Sequence, residues 1–181
     1  NDHWWQQYRM GKVGKQDLRG GRFRDTLQHF GITDEVLTET LAHEYTARSP
    51  YQTTLFPGAI ETLETLVKRG HILHIITNGF EEVQHIKLNE SKLRTYFDQV
   101  ITSEMVKARK PEPQIFDHAF KLSGAKPSES LMIGDSLIAD IRGAELAGMD
   151  QVYFNPEGNK HDYSPTYEIR ELEEMLELKL L

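Results

Sequence analysis

Leu131-Met132-Ile133-Gly134-Asp135-Ser136-Leu137-Ile138-Ala139-Asp140 is the stretch that decides the fold of this chain. Its apolar start predicts a short buried strand, and Gly134 allows the backbone to turn where that strand ends. Asp135 then lies at the carboxyl end of the strand, which is where parallel α/β sheets bind ligands. Asp140 adds a second carboxylate about one helical turn later, and such a pair suits a hard cation such as Mg²⁺. Taken alone, the stretch also fits a helix capped by Asp135 or Ser136 with a surface Asp140.

The composition is typical of a soluble globular protein. The 181 residues are 38% hydrophobic and 27% charged, which predicts one domain with at most a small appendage. The net charge of −7 argues against a nucleic-acid polymer as the main partner, but not against a small phosphorylated substrate. There are no cysteines, and no apolar stretch approaches the roughly 18–20 residues that span a bilayer. We therefore expect no disulfide, no membrane partner and a cytoplasmic location.

The sequence changes character near residue 50. Residues 1–50 carry aromatic side chains at near-helical spacings and predict a small all-helical unit. Residues 51–56 have the pattern of an extended linker. In residues 57–181, short apolar runs alternate with helical patterns, which predicts an α/β fold with a parallel sheet. The predicted elements are strands at His71–Ile76, Gln99–Thr102, Leu131–Ile133 and Gln151–Phe154, and a C-terminal helix from about Ile169.

Two further segments place polar side chains near the ends of predicted elements. Thr77 and Asn78 follow the first predicted strand directly and precede a helix, where backbone N–H groups and the helix dipole attract an anion. Lys110 precedes Pro111, which biases the lysine towards an extended backbone and could hold its ammonium group in one direction. Each segment alone has a simpler explanation, since the first is also a common turn sequence and the second also fits a solvated basic loop.

The order and spacing of these segments carry more information than each segment alone. The strings Ile-Ile-Thr-Asn-Gly-Phe (75–80), Lys-Pro-Glu-Pro-Gln-Ile-Phe-Asp (110–117) and Gly-Asp-Ser (134–136) occur on successive strand–helix units. Together with Asn155-Pro156, this pattern resembles the haloacid dehalogenase superfamily, and within it the branch of pyrimidine nucleotidases and related 5′-nucleotidases. The resemblance covers essentially the whole chain.

The resemblance implies a fold with two parts. Residues 57–181 would form a Rossmann-like, three-layer α/β core with a parallel sheet. Residues 1–50 would form part of an inserted helical cap, joined to the core by the linker at 51–56. Trp4, Trp5 and Tyr8 could stack on a nucleobase from this cap, although aromatic residues at such spacings also form the core of a small helical unit.

The resemblance also assigns roles to individual residues. Thr77 and Asn78 would bind the phosphate, and Lys110 would neutralise charge on the nucleophile and on the phosphoryl oxygens. Asp135 would bind Mg²⁺ directly, and Asp140 would orient Lys110 or a metal-bound water. The Gly-Asp-Ser sequence favours phosphate chemistry over dehalogenation, because the metal-free dehalogenases of the superfamily typically carry a different sequence there.

The implied activity is a Mg²⁺-dependent phosphomonoesterase acting on a nucleoside 5′-monophosphate, with pyrimidine nucleotides favoured. One alternative is a phosphatase of a small sugar or organic phosphate. Another is a catalytically inactive module that binds phosphorylated ligands. The intact Thr77, Lys110, Asp135 and Asp140 argue against simple decay of the site but do not exclude a binding module.

One element of the superfamily pattern is absent from the sequence. Superfamily phosphatases form an aspartyl-phosphate on the first Asp of an Asp-x-Asp motif that closes their first strand, and nothing before Trp4 supplies it. We expect this motif upstream, and the chain by itself to be inactive. The resemblance implies that the missing strand lies between His71–Ile76 and Leu131–Ile133, so the sheet would not close without it. A ladder that pairs Ile75 with Met132 would contradict this topology.

Overall fold

The computed structural model describes residues 2–179 and divides the chain into two compact units, residues 1–52 and 53–181. The first unit consists of helices. They are α1 (Asp2–Arg9), α2 (Lys15–His29) and α3 (Glu35–Arg48), followed by a 3₁₀ turn at Ser49–Tyr51. Asp34 starts α3, because its side chain accepts a hydrogen bond of 2.9 Å from the Leu37 N–H.

Aromatic side chains of α1 form part of the core of the first unit. Tyr8 is buried, and the Trp4 ring packs so closely on α2 that a β-carbon at Gly21 would lie 2.2 Å from it. The Trp4 indole N–H also donates to the Asp25 carboxylate at 2.6 Å. These contacts favour a structural role for the aromatic residues of α1.

The second unit alternates helices and strands. Each of the four predicted strands is present within two residues of its predicted limits. The elements are α4 (Ala59–Lys68), β1 (Leu73–Thr77), α5 (Glu81–Glu90), β2 (Phe97–Thr102), α6 (Ser103–Val106), α7 (Pro113–Ser123), β3 (Leu131–Gly134), a π-helix (Leu137–Arg142), α8 (Gly143–Leu146), β4 (Asp150–Phe154) and β5 (Tyr167–Ile169), with 3₁₀ turns at Arg94–Tyr96, Pro127–Glu129 and Leu172–Glu177. Among residues 2–179, no helix has both the length and the apolar character needed to cross a membrane.

The strands pair in parallel and form two sheets, which confirms the α/β fold class. One sheet has the order β1-β2 and the other the order β3-β4-β5. Ile75 of β1 pairs with Val100, whereas Met132 of β3 pairs with Gln151. The ladder that would have contradicted the predicted topology is therefore not found within the described residues. The predicted strand between β1 and β3 stays a prediction.

Two hydrophobic clusters pack on opposite faces of the strands. Because side chains alternate along a strand, Leu73 and Ile76 of β1 lie on different faces, and so do Leu131 and Met132 of β3. One cluster joins Ile76 and Met132 to β2, α7 and α8 through Ile101, Ile115, Phe116, Ala119, Ala144 and Met149. The other joins Leu73 and Leu131 to α4, β4, β5 and the last 3₁₀ turn through Leu66, Val152, Ile169 and Met175. Helices thus cover both faces of the strands, and hydrophobic packing holds the two sheets together.

The predicted C-terminal helix from Ile169 is wrong. Tyr167 and Ile169 instead belong to β5, which pairs in parallel with β4. The Glu174 carboxylate accepts hydrogen bonds from the N–H groups of Arg170 and Glu171 at 2.9 and 2.8 Å, so a short 3₁₀ turn begins only after them. The open edge of β4 provides a ladder for β5, and this long-range pairing outweighs the local helical pattern.

Candidate functional site

The predicted site residues lie where the strands of the second unit end. Thr77 is the last residue of β1, Lys110 lies in the loop before α7, and Asp135 follows β3. Hydrogen bonds link Asn78 to Lys110 across 32 positions of the sequence and Lys110 to Asp140 across 30. The strand order thus brings together segments that are distant in the chain, as expected for a ligand site in a parallel sheet.

Asn78 holds the main chain of Lys110 at both of its polar groups. The Asn78 Nδ2 donates to the Lys110 carbonyl at 2.9 Å, and the Lys110 N–H donates to Asn78 Oδ1, also at 2.9 Å. The following Lys110–Pro111 peptide bond is cis. The side chain that was predicted to bind phosphate therefore contacts the predicted catalytic lysine, and its role as a phosphate ligand stays a prediction.

Lys110 and Asp140 form a buried ion pair. The Lys110 Nζ donates to Asp140 Oδ1 at 2.6 Å, and only 11% and 6% of the two side chains are exposed. The second oxygen of Asp140 accepts from the Ser136 N–H at 3.0 Å. Each charge therefore depends on its partner, because a single charge buried without a partner is strongly unfavourable. Asp140 was predicted to orient either Lys110 or a metal-bound water. The structure provides the contact needed to orient Lys110.

Local geometry explains how Asp140 reaches this position. A β-carbon at residue 134 would lie 2.3 Å from Asp140 Oδ2, so only glycine allows the carboxylate to approach the end of β3. The Ser136 hydroxyl caps the following helix by accepting from the Ala139 N–H at 3.1 Å. The Ser136 carbonyl accepts from the N–H groups of both Asp140 and Ile141, at 2.9 and 3.1 Å, which produces the wide π-helical turn. Such turns recur at functional sites.

Asp135 has the properties of a metal ligand. It is exposed, and its carboxylate has no hydrogen bond or ion pair with any residue between 2 and 179. Mg²⁺ prefers oxygen ligands, keeps several waters and needs few protein carboxylates. In the described part of the chain, no group of three or more acidic or histidine side chains could hold a metal by itself. The residues therefore fit a Mg²⁺ that takes one carboxylate, that of Asp135, from this chain.

Thr77 can donate to an anion, but the start of α5 is already partly occupied. The Thr77 hydroxyl oxygen accepts from the Gly79 N–H at 3.0 Å, which leaves its O–H free to act as a donor. The Glu104 carboxylate accepts from the Glu81 N–H in the first turn of α5 at 2.7 Å. The helix terminus therefore offers a phosphate fewer N–H groups than the sequence pattern predicts.

The sequence reasoning missed a buried tyrosine near Asp135. Tyr153 of β4 pairs in register with Gly134 at the end of β3. The His161 ring packs edge-on against the Tyr153 ring, with 4.9 Å between the ring centroids. Burial raises the pKa of Tyr153, and the negative charges of Glu168 and Asp135 raise it further. No sequence pattern identifies this residue as part of the site, since Tyr153 reads as an ordinary member of an apolar strand.

Glu168 and Asn155 anchor the loop between β4 and β5. The Asn155 Nδ2 donates to Glu168 Oε1 at 2.7 Å, and His161 Nε2 lies 3.1 Å from Glu168 Oε2. The hydrogen bond from Asn155, followed by the one from His161, holds the pKa of Glu168 below its usual value of 4.5. Asn155 directly follows β4, and its position at a strand end is the one signal that could have revealed this cluster.

Three comparisons with known proteins show what this chain is similar to. The sequence profile of haloacid dehalogenase-like hydrolases matches residues 2–154. Pyrimidine 5′-nucleotidase PynA of Streptococcus pneumoniae is 34% identical over 176 residues, which cover 96% of this chain and 73% of PynA. Pyrimidine 5′-nucleotidase YjjG of Escherichia coli is 33% identical over 183 residues, which cover 96% of this chain and 76% of YjjG.

A solved structure shows the same fold. The crystal structure of the HAD-hydrolase YfnB from Bacillus subtilis, bound to magnesium, matches with a TM-score of 0.83 at 30% identity. The match covers 97% of this chain and 77% of the YfnB chain. The family profile, these relatives and the motif residues at the strand ends agree, and the chain therefore belongs to the haloacid dehalogenase-like hydrolase family.

Proposed function

We propose that this chain forms the phosphate- and metal-binding part of a Mg²⁺-dependent phosphatase that hydrolyses nucleoside 5′-monophosphates, with pyrimidine nucleotides favoured. The observation that carries the proposal is the buried Lys110–Asp140 pair, which Asn78 anchors. Asp140 also accepts from the N–H of Ser136, the residue after the exposed Asp135. A fixed cation and an unpaired carboxylate are groups suited to binding a phosphate ester together with a metal ion.

Lys110 would stabilise the charge on the transferring phosphoryl group. An ammonium group has three N–H donors, and Asp140 accepts one of them. The remaining donors can bind phosphoryl oxygens, and the compact positive charge can offset negative charge that develops during transfer. Because Asp140 holds the ammonium in place before substrate binds, little reorganisation is needed in the reaction.

Thr77 and Asp135 would complete this part of the site. The Thr77 hydroxyl would donate to a phosphate oxygen, and Asn78 would contribute its main-chain N–H, since Lys110 engages its side chain. Asp135 would hold Mg²⁺, which supplies positive charge next to the phosphoryl group when it is bound.

The proposed nucleophile is an aspartate outside this sequence. In the proposal, a strand that carries it lies between β1 and β3, both of which end at the site and which form no ladder with each other among residues 2–179. Its carboxylate would attack phosphorus while the P–O bond to the nucleoside breaks and the leaving 5′-oxygen takes a proton from the second Asp of the Asp-x-Asp motif. Water would then hydrolyse the aspartyl-phosphate to inorganic phosphate and the free aspartate. The similarity to two pyrimidine 5′-nucleotidases supports the choice of substrate.

The test uses the intact protein that contains this chain, with Mg²⁺ and a panel of phosphate esters. We expect kcat/KM for uridine 5′-monophosphate to exceed that for glucose 6-phosphate by at least about tenfold, which corresponds to about 1.4 kcal/mol. Chelation of the metal should abolish turnover. A higher kcat/KM for glucose 6-phosphate would refute the nucleotide as substrate and favour a sugar phosphatase. Binding of the phosphate esters without hydrolysis would indicate an inactive binding module.

Substitutions test the residue roles in the same assay. Lys110→Ala should lower kcat by about 10²–10³-fold, and Thr77→Ala should lower it less because it removes one neutral donor. The matched control is Lys126→Ala, since the Lys126 side chain is 72% exposed and lies on the surface. Turnover of Lys110→Ala equal to that of the control would overturn the proposed site.

A further inference from the structure

A chain of hydrogen bonds connects the end of β1 to the loop after β3. It runs from Asn78 to the Lys110 main chain through two bonds of 2.9 Å, then from Lys110 Nζ to Asp140 at 2.6 Å, and from Asp140 to the Ser136 N–H at 3.0 Å. The strands at its two ends share no backbone ladder within the described residues. Where β1 and β3 end, these side-chain hydrogen bonds connect two sheets that share no backbone pairing among residues 2–179.

The main chain of Lys110 depends on Asn78 for its position. Lys110 lies between α6 and α7, outside any helix or strand. Within residues 2–179, the main chain of Lys110 forms hydrogen bonds only with Asn78. The lysine side chain is long and flexible, so the ion pair with Asp140 fixes the ammonium group but not the main-chain atoms of Lys110. Asn78 is the residue that holds both polar groups of that main chain.

We infer that Asn78 is a positioning residue that acts on the reaction through Lys110, by fixing the lysine main chain so that the ammonium group stays paired with Asp140 at the site. This inference rests on the proposed function for its catalytic consequence. Both heteroatoms of the Asn78 side chain are engaged by Lys110. A phosphate that took the side-chain amide as a direct ligand would therefore compete with the lysine contact.

The first experiment measures the accessibility of Lys110 and needs no enzymatic activity. The intact protein is acetylated briefly with acetic anhydride, and mass spectrometry gives the ratio of modification at Lys110 to that at the exposed Lys126. We expect Asn78→Ala to raise this ratio severalfold, because the anchored amine becomes mobile and accessible. Asn78→Asp keeps the acceptor and loses the donor, so its ratio should be intermediate.

The matched control is Asn89→Ala, which removes an exposed asparagine at the end of α5 and should leave the ratio unchanged. Circular dichroism shows whether each variant is folded. If Asn78→Ala unfolds, Asn78→Asp decides the question by the same criterion. The inference is overturned if Asn78→Ala is folded and shows the same Lys110-to-Lys126 acetylation ratio as the wild type. If only Asn78→Asp is folded, an unchanged ratio in that variant overturns it.

The second experiment is kinetic and separates positioning from direct phosphate binding. Asn78→Ala is introduced into the wild-type protein and into the Lys110→Met variant. If Asn78 acts through Lys110, the substitution lowers kcat at least about tenfold with KM nearly unchanged in the first background. In the second background it has no further effect on turnover or on the affinity for inorganic phosphate.

If Asn78 binds phosphate with its side chain, Asn78→Ala weakens inorganic phosphate binding in both backgrounds, and this result overturns the inference. An inactive wild-type protein would instead refute the proposed function. The labelling experiment would still test the Asn78–Lys110 link in that case, so the two failures are distinguishable.

Discussion

The Asp140→Asn substitution gives the sharpest test of the buried ion pair. The amide keeps the shape of the side chain but removes its charge. The ammonium group of Lys110, whose side chain is 11% exposed, then loses the carboxylate with which it is paired. Breaking a buried pair by removing one partner costs about 3–5 kcal/mol, which is a large part of the roughly 5–15 kcal/mol that stabilises a typical protein. We expect the free energy of unfolding to fall by an amount in that range.

A double-mutant cycle isolates the pair. Asp140→Asn, Lys110→Met and the double variant of the intact protein are unfolded in urea and followed by circular dichroism. The double variant should lose less stability than the sum of the single variants, with a coupling energy towards the upper end of about 0.5–3 kcal/mol. The control pair is Lys126–Glu129, which has an N···O distance of 3.0 Å and side chains that are 72% and 63% exposed. Its coupling should be only about 0.2–1 kcal/mol.

Two results would refute the reasoning. The first is a coupling energy for Lys110–Asp140 no larger than that of the exposed control pair. The second is a loss of less than about 0.5 kcal/mol for Asp140→Asn, which is the range of surface substitutions. Either result would mean that water reaches the pair and that Asp140 does not hold Lys110 by a buried charge.

Three further predictions concern neighbouring residues. Gly134→Ala should destabilise the protein by about 1–3 kcal/mol in urea unfolding, because the new β-carbon would lie 2.3 Å from Asp140 Oδ2. Asp135→Asn should leave the fold intact but remove most phosphatase activity and weaken Mg²⁺ binding measured by calorimetry, because it removes a charged oxygen ligand. Because folding lowers the pKa of Glu168 from 4.5, mainly through the hydrogen bond from Asn155, its carboxylate stabilises the protein above that pH. This contribution, below about 1 kcal/mol for a partly exposed group, should disappear on acidification, so the stabilities of wild type and Glu168→Gln should converge at low pH.

Controls for these predictions come from the same chain. Gly20→Ala places a β-carbon where nothing lies within 4 Å, so it should raise stability by about 0.5–1 kcal/mol through helix propensity. Asp117→Asn changes an exposed carboxylate on α7 and should preserve activity and Mg²⁺ affinity. Equal effects of Gly134→Ala and Gly20→Ala, or of the two aspartate substitutions, would contradict the assigned contacts. A stability difference between wild type and Glu168→Gln that does not change with pH would contradict the third prediction.

The sequence alone determined the strand ends and the chemistry placed on them. Thr77 follows an apolar run directly, and Asp135 follows another after Gly134. Hydrophobic periodicity, glycine at a turn and the motif residues are properties of short segments, so they can be read without knowing how the segments pack. The spacing of these segments was also enough to identify the family, which the profile match over residues 2–154 confirms.

The family resemblance left open whether Asp140 orients Lys110 or a metal-bound water, and only the tertiary structure showed which of these residues contact each other. Asn78 contacts Lys110 across 32 positions, and Lys110 contacts Asp140 across 30. Nothing local in the sequence distinguishes an asparagine that faces phosphate from one that holds a lysine, because strand order and the packing of α7 determine how the two loops approach. The same holds for β5, where the open edge of β4 outweighs a local helical pattern. Long-range hydrogen bonds and strand pairing depend on the whole fold, and for that reason the arrangement of the site required the structure.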